Sequence, residues 1–255
     1  VYSCIEDAGY KSSDLYNSNT GIFIGVGPVE YNNIINQSNI EIKAHIGSGL
    51  APSIISNRIS YLLNLHGPSE SIDTACSSAL VAVHRATMAI KNQECSAAIA
   101  GGVNILLSPM GFTALSKAGM LSSDGRCKTF DKKADGYVRS EGAGAVLLKP
   151  LSKAIEDRDI IYAVIKGTSV NHGGRANSLT APNSQAQADL LIQAYKNADI
   201  DPSTISYIET HGTGTELGDP VEINGLKKAF KKLYELKGKP IKEAHCGLGA
   251  VKTNI

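Results

Sequence analysis

The spacing of apolar and polar residues changes period several times along the chain, and the changes predict strands alternating with helices. Val1 to Tyr10 reads as the tail of a helix stopped at Gly9, since glycine takes the left-handed backbone that ends helices. Thr20 to Gly27 is a short apolar run closed by glycines, the pattern of a buried strand. Residues 28–45 are polar and asparagine-rich, which suits a surface helix or loop. Pro52 fits the first turn of a helix over about Ser53 to Leu65. A strand-like lead-in then reaches Thr74, and from Ser78 a nearly all-apolar helix runs through Met88-Ala89-Ile90 to Lys91-Asn92. Ala97 to Asn104 is a strand of small residues, able to pack closely on that helix. Loop and short helix fill Ser108 to Arg126, and a glycine-punctuated stretch from Asp131 leads into a strand over Ala143 to Lys149, closed by Pro150.

A second cycle follows. It comprises a strand over Tyr162 to Ile165, a loop from Asn171 to Asn183, a helix over Ser184 to Ala198 and a strand over Ile205 to Glu209. From Glu222 toward Lys242, Leu226, Phe230 and Leu233 form one apolar helical stripe, with Lys227, Lys228, Lys231 and Lys232 mostly off it. Those lysines make either a solvated face or a docking surface for an acidic partner. The alternation predicts an α/β architecture with parallel or mixed sheets covered by helices on both faces.

Composition adds limits. The 255 residues supply ample material for a buried core. A net charge of +1 gives no overall pull toward nucleic acid or a membrane surface. No apolar run approaches the length of a membrane span. Five scattered cysteines without a Cys-x-x-Cys pair argue against a disulfide framework or a zinc site and point to reduced, cytoplasmic thiols. The chain starts inside a helix pattern and stops at Ile255 on an apparent core strand, so it reads as a piece of a longer protein.

The candidate chemistry centres on Ser71-Ile72-Asp73-Thr74-Ala75-Cys76-Ser77-Ser78-Ala79-Leu80. Cys76 falls where a strand turns into the apolar helix, and Ser77 or Ser78 is placed to cap that helix by accepting a first-turn N–H. Unpaired N–H groups and the positive dipole end favour an anion there, and the thiolate is the nucleophilic form of cysteine. The layout parallels the strand–nucleophile–helix elbow of serine hydrolases, with sulfur in place of oxygen. A buried structural cysteine is the alternative reading. His211 follows the Ile205–Glu209 strand on a glycine-rich loop, where α/β proteins place reactive groups. Gly212 and Gly214 permit close substrate approach, and Thr213 or Thr215 is placed to orient the ring; a turn histidine without chemical role is the alternative. His172, on another turn-rich loop reaching Asn177, is read as structural.

Asp73-Thr74-Ala75-Cys76-Ser77-Ser78 resembles the active-site cysteine signature of β-ketoacyl synthases, the condensing enzymes of polyketide and fatty-acid assembly. His211 to Pro220 and Val251-Lys252-Thr253-Asn254 resemble further motifs of that family, in its order, as do Gly101 to Asn104, Gly125 to Asp131 and Leu179 to Asn183. The Thr213-Gly214-Thr215 form and the run Ser169 to Gly174 look like modular polyketide synthases. The Asn171-His172-Gly173-Gly174 loop and His245 to Gly249 are similar to bacterial systems whose acyltransferase is a separate protein.

The resemblance covers essentially the whole chain. It implies a thiolase-like fold, layered α-β-α-β-α and incomplete at both ends. On this reading residues from 1 to about 150 hold most of the N-terminal half, and those from about 151 to 255 begin the C-terminal half. It implies Cys76 as acyl-accepting nucleophile, His211 as first histidine and Lys252 as supporting lysine. Phe112, with Thr213 and Thr215, falls on the substrate-binding side, although plain core packing also accounts for Phe112. A second family histidine would follow Ile255, so the 255 residues alone are expected to be inactive. The implied reaction is decarboxylative condensation of a cysteine-bound acyl chain with a malonyl-type extender. Its partner is acyl carrier protein, which brings phosphopantetheine, and the full protein is expected to be a homodimer with no bound cofactor or metal. Alternatives are a non-elongating ketosynthase, a Cys-His acyl hydrolase, or a structural docking module with no need of Cys76.

Overall fold

A computed structural model gives the fold of residues 1–38, 40–176, 178–241 and 244–255; Asn177 and Lys242, named above, lie outside the described residues. In chain order the helices are α1 (Tyr2–Asp7), α2 (Tyr31–Gln37), α3 (His45–Leu50), α4 (Ser53–Leu62), α5 (Ser78–Lys91), α6 (Pro109–Lys117), α7 (Leu151–Glu156), α8 (Ser184–Ala198) and α9 (Gly218–Leu236). The strands are β1 (Thr20–Gly25), β2 (Ser69–Ile72), β3 (Ala97–Asn104), β4 (Gly142–Leu148), β5 (Tyr207–Glu209) and β6 (Gly247–Gly249). The chain divides into two compact units, Val1–Pro109 with Ser140–Val164, and Met110–Arg139 with Ile165–Ile255.

The first unit is built on a sheet of order β2-β1-β3-β4. Its first three strands are parallel and β4 runs antiparallel to β3, with Ile24 opposite Ser71 on one side and Gly101 on the other. Every residue of β1 is buried, as its unbroken apolar run demands of a central strand. Its side chains alternate between two cores. Ile22 and Ile24 join Ile5 of α1, Leu15, Leu65 and Ile99, with Ile55 and Ile59 of α4 packed against them. Phe23 points the other way, into a stripe of Ala82, Ala86 and Ala89 on α5. Burying an Ile or Phe of this kind contributes about 1.5–3 kcal/mol.

Small residues bring α5 down onto the sheet. A Cβ on Gly25 would lie 2.5 Å from the Ala79 amide nitrogen, and one on Gly102 would lie 2.8 Å from Ala79 Cβ. The first turn of α5 therefore rests on the carboxyl ends of β1 and β3.

The second unit contains the parallel pair β5–β6, with Tyr207 opposite Gly247, and α9 is the helical crossover between them. α8 packs against α9. Asn183 caps α8, its Oδ1 accepting the N–H groups of Gln185 at 2.9 Å and Ala186 at 3.2 Å. Leu226 and Leu233 are buried, Phe230 sits edge-on to Tyr195 at 6.0 Å, and Lys227, Lys228, Lys231 and Lys232 are exposed. The expected stripe is real.

Four details differ from the sequence pattern. Residues 162–165 form no strand, and Tyr162 is 76% exposed. Side chains that suit a strand do not make one without a ladder, and among the described residues nothing pairs with this run. β5 begins at Tyr207 rather than Ile205, because Pro202–Thr204 form a 3-10 turn capped by Asp201. α9 begins at Gly218, before Glu222, with Pro220 in the first turn, where a missing N–H loses no helical bond. Ile255 lies beyond a 3-10 turn at Val251–Thr253, not on a strand, and is 82% exposed.

Candidate active site

Cys76 lies in a single 3-10 turn, Ala75–Ser77, between the end of β2 and the start of α5. The turn reverses sharply because Ala75 takes φ +57, a left-handed conformation unusual for a residue with a Cβ. Side chains hold it there. Asp73 Oδ1 accepts the Ala75 N–H at 3.0 Å, and Ser77 Oγ donates to the Thr74 carbonyl at 2.9 Å. Ser78 Oγ accepts the Thr74 N–H at 2.9 Å and donates to the Ala75 carbonyl at 2.7 Å.

The expected serine cap is therefore absent: both hydroxyls face back into the turn, and neither accepts a first-turn N–H of α5. The tight turn leaves its own backbone groups needing partners, and the serines supply them. Among the five cysteines Cys76 is the exposed one, while Cys95 is buried and Cys4, Cys127 and Cys246 are half-buried.

His211 belongs to the second unit, on the turn between β5 and α9. Its backbone is gripped from three sides. Glu222, one turn into α9, accepts the His211 N–H on Oε1 at 2.7 Å and the Gly212 N–H on Oε2 at 2.9 Å. Lys252, just past β6, donates from Nζ to the His211 carbonyl at 2.7 Å. Thr129 Oγ1 donates to the Gly212 carbonyl at 2.5 Å. Farther along the turn, buried Asp219 accepts the N–H groups of Gly214 at 3.1 Å and Phe130 at 2.7 Å. Lys252 is itself placed by Glu209 at the end of β5, whose Oε1 accepts the Val251 N–H at 2.6 Å.

Desolvation by the surrounding chain, with the Lys252 ammonium second, holds the His211 imidazole below its ordinary pKa. Glu222 and Asp219 oppose the shift without reversing it. The residue keeps an exposed surface, so burial is partial. The ring is neutral at neutral pH and offers an N–H.

Thr213 and Thr215 do not orient that ring, contrary to the sequence expectation. Their hydroxyls pair with each other at 3.1 Å, and Thr215 Oγ1 accepts the Gly218 N–H at 3.1 Å, at the start of α9. The need of the helix start for an acceptor takes precedence. Phe112 sits on α6, 41% exposed, with the Arg139 guanidinium 4.7 Å from its ring centre. His172 Nδ1 accepts the Gly174 N–H at 2.9 Å, in keeping with a structural place in its loop.

The second unit thus brings together His211, Lys252, Thr213 and Thr215, while Cys76 belongs to the first. Sequence reasoning missed Glu222, Asp219 and Thr129. The signal for the two acids was an Asp-x-x-Glu spacing at a helix start beside a histidine loop; Thr129 had none. Among the described residues no cluster of His, Cys, Asp and Glu is arranged to hold a metal ion, and no helix is long and apolar enough to cross a membrane.

Comparison with known proteins gives the family. Residues 1–154 match the family model of the β-ketoacyl synthase N-terminal domain, and residues 162–255 that of the C-terminal domain. Polyketide synthase PksN of Bacillus subtilis is 58% identical over the whole chain, which spans 5% of its length. Polyketide synthase ThaG of Burkholderia thailandensis is 44% identical over the whole chain, which spans 4% of its length. Among solved structures, the ketosynthase from module 6 of the bacillaene synthase of Bacillus subtilis 168 superposes with a TM-score of 0.90 at 42% identity. It covers 100% of this chain, which spans 43% of that one. The oxazolomycin ketosynthase domain of Streptomyces albus JA3453 gives a TM-score of 0.88 at 39% identity, covering 98% of this chain and 42% of its own. The fold is thiolase-like, as these neighbours are. The chain belongs to the β-ketoacyl synthase family and is homologous to the ketosynthase domains of bacterial modular polyketide synthases.

Proposed function

We propose that this chain carries the condensing chemistry of polyketide chain elongation in the full-length protein. An acyl group arrives as a thioester on the phosphopantetheine arm of acyl carrier protein. The Cys76 thiolate attacks its carbonyl and the carrier thiolate leaves, a nearly thermoneutral exchange. A malonyl-type thioester on a second carrier then loses carbon dioxide, and the electron pair of the broken C–C bond becomes an enolate. Neutral His211 donates its N–H to the enolate oxygen, as an oxyanion-hole donor does. The enolate carbon attacks the acyl-cysteine, and the tetrahedral intermediate collapses with release of the Cys76 thiolate and a β-ketoacyl chain on the carrier. Lys252 keeps the His211 backbone in place and the ring neutral. Phe112, Thr213 and Thr215 serve the substrate side.

The observation that carries the reading is the turn of Cys76. A solvent-exposed thiol stands on a left-handed turn at the carboxyl end of the parallel strand β2, in a chain of this family. Neutral His211 supplies the N–H that the decarboxylation step needs; a neutral imidazole serves equally as a general base for water, and the discharge experiment separates the two. Acyl carrier protein, a homodimeric full-length protein and a separate acyltransferase partner belong to the same proposal; the Asn171 to Gly174 loop supports the last of these. The test is peptide mass spectrometry of the full-length protein after incubation with an acyl-carrier thioester. An acyl adduct on Cys76 that malonyl-carrier protein discharges into β-ketoacyl product supports condensation. Discharge by water alone at the same rate refutes it in favour of a hydrolase.

A further inference from the structure

The turn that carries His211 is short and glycine-rich, and it does not hold its shape by itself. The structure points to a second segment that shapes it. Met120 to Val138 leaves the end of α6 and closes on itself: Ser122 N–H donates to the Tyr137 carbonyl, and Tyr137 N–H to the Met120 carbonyl, each at 3.0 Å. Gly136 makes that closure possible, since a Cβ there would lie 2.4 Å from the Leu121 carbonyl carbon. Inside the loop Lys128 Nζ stands 2.9 Å from Asp124 Oδ1 and 2.7 Å from Asp135 Oδ1, the latter an ion pair of distance rather than of hydrogen-bond direction. Asp135 Oδ2 accepts from the Ser123 hydroxyl at 2.6 Å. The ion pairs bind both limbs of the loop to one ammonium group.

What the loop presents to the His211 turn is a row of backbone contacts. Thr129 Oγ1 reaches the Gly212 carbonyl at 2.5 Å, Gly136 N–H reaches the Gly214 carbonyl at 3.0 Å, and Phe130 N–H reaches Asp219, which also holds Gly214. The fit is close as well as polar. A Cβ on Gly212 would lie 2.7 Å from Thr129 Cγ2, and one on Gly214 would lie 2.8 Å from the Lys128 amide nitrogen. Phe130 takes φ +60, a conformation a bulky side chain adopts only when its surroundings impose it. Such strain persists where neighbouring structure over-determines the backbone, here through Asp219.

We propose that the loop between Met120 and Val138 is the brace that sets the position of the His211 imidazole, and that Thr129 is its principal positioning residue. This rests on the role of His211 proposed above. Thr129 touches no reacting atom; it holds the carbonyl of the residue next to His211 and walls the space in which Gly212 turns. Lys128 acts one step further back, by keeping the loop closed. Acyl loading needs only Cys76, whereas decarboxylation needs a donor at a fixed place, so loss of the brace separates the two steps.

The experiment compares Thr129→Val, which keeps shape and removes the hydroxyl, with Thr129→Ser, which keeps the hydroxyl, and with His211→Ala, all in the full-length protein. Cys76 acylation is read by mass spectrometry, decarboxylation by carbon dioxide release from malonyl-carrier protein, and folding by thermal melting. For Thr129→Val the expected result is unchanged loading and melting with decarboxylation reduced about tenfold to a hundredfold, the scale of a misplaced catalytic group. Thr129→Ser is expected to restore it to within about threefold of the parent on the same scale. Lys128→Met, which cuts the ion pairs and leaves the Gly212 contact chemically intact, carries the same expectation should the valine variant not fold. Decarboxylation lost in His211→Ala but unchanged in Thr129→Val and Lys128→Met overturns the brace alone. Equal loss of loading and decarboxylation also overturns it, as a general structural defect. Decarboxylation retained in His211→Ala overturns the role of His211 and the brace with it.

Discussion

The carboxylate of Glu222 holds the backbone of His211 as a two-pronged clamp, one oxygen on the His211 N–H at 2.7 Å and the other on the Gly212 N–H at 2.9 Å. Helix α9 thereby fixes the His211 turn from its own second turn, with Asp219 three residues earlier doing the same for Gly214. Both N–H groups belong to a turn with no ladder partner, and charged acceptors make the stronger hydrogen bonds.

Glu222→Gln keeps the shape of the clamp but turns one acceptor into a donor that faces an N–H. One backbone donor then loses its protein partner at a part-exposed turn, a loss of about 1 kcal/mol. The variant is expected to melt at lower temperature and to slow condensation while Cys76 still loads. Urea denaturation and product formation, measured side by side, check both.

In the proposed mechanism His211 sets an acid limit on condensation. Because desolvation and Lys252 disfavour the imidazolium, the ring stays neutral to a lower pH than an ordinary histidine. The acid limb of condensation therefore lies below the ordinary imidazole range. The unfolded chain takes the proton more readily than the folded one, so this group also withdraws stability as pH falls through that range. Lys252→Met removes the second cause, so the acid limb is expected to move to higher pH. A pH–rate profile of both proteins reads the shift; movement to lower pH would contradict it.

Gly25 has no room for a methyl group. Its Cβ would lie 2.5 Å from the Ala79 amide nitrogen and 2.6 Å from the Ser78 carbonyl carbon, both backbone atoms of α5. Gly25→Ala must lift the first turn of α5, at about 1–3 kcal/mol of stability. Because Cys76 adjoins that turn, its alkylation rate is expected to change as well. Thermal melting and iodoacetamide kinetics check the pair.

Much of this arrangement is legible in the sequence where the causes are local. The apolar run of β1, the small residues of β3 and the alanine stripe of α5 announce a buried sheet with a closely packed helix. The helix read over Ser184 to Ala198 is α8 at both ends, where the structure adds the Asn183 cap and a left-handed Asp199. What stays hidden is decided at a distance. Thr129 and Phe130 meet Gly212 and Asp219 across more than eighty positions, and no periodicity records that. Ser77 and Ser78 look like caps because serines at helix starts commonly are; the left-handed turn at Ala75 claims both hydroxyls first, Ser77 Oγ for the Thr74 carbonyl and Ser78 Oγ for the Ala75 carbonyl. Tyr162 to Ile165 has the side chains of a strand and, among the described residues, no strand beside it.

Cys76 is expected to be the first cysteine alkylated in the full-length protein. It is the exposed thiol, while burial pushes the Cys4, Cys95 and Cys246 thiols up, away from the reactive thiolate. Limiting iodoacetamide followed by peptide mapping measures this. Preferential labelling of Cys4, Cys95, Cys127 or Cys246 would contradict it.

The division of labour between Cys76 and His211 is the centre of the account, and His211→Ala in the full-length protein tests it most directly. Peptide mass spectrometry follows acyl loading on Cys76, and β-ketoacyl product formation from malonyl-carrier protein follows condensation. Loading is expected to survive while condensation falls by about two orders of magnitude or more, the scale of losing an oxyanion donor. Loss of both steps to the same degree would contradict it, because His211 would then be serving the cysteine.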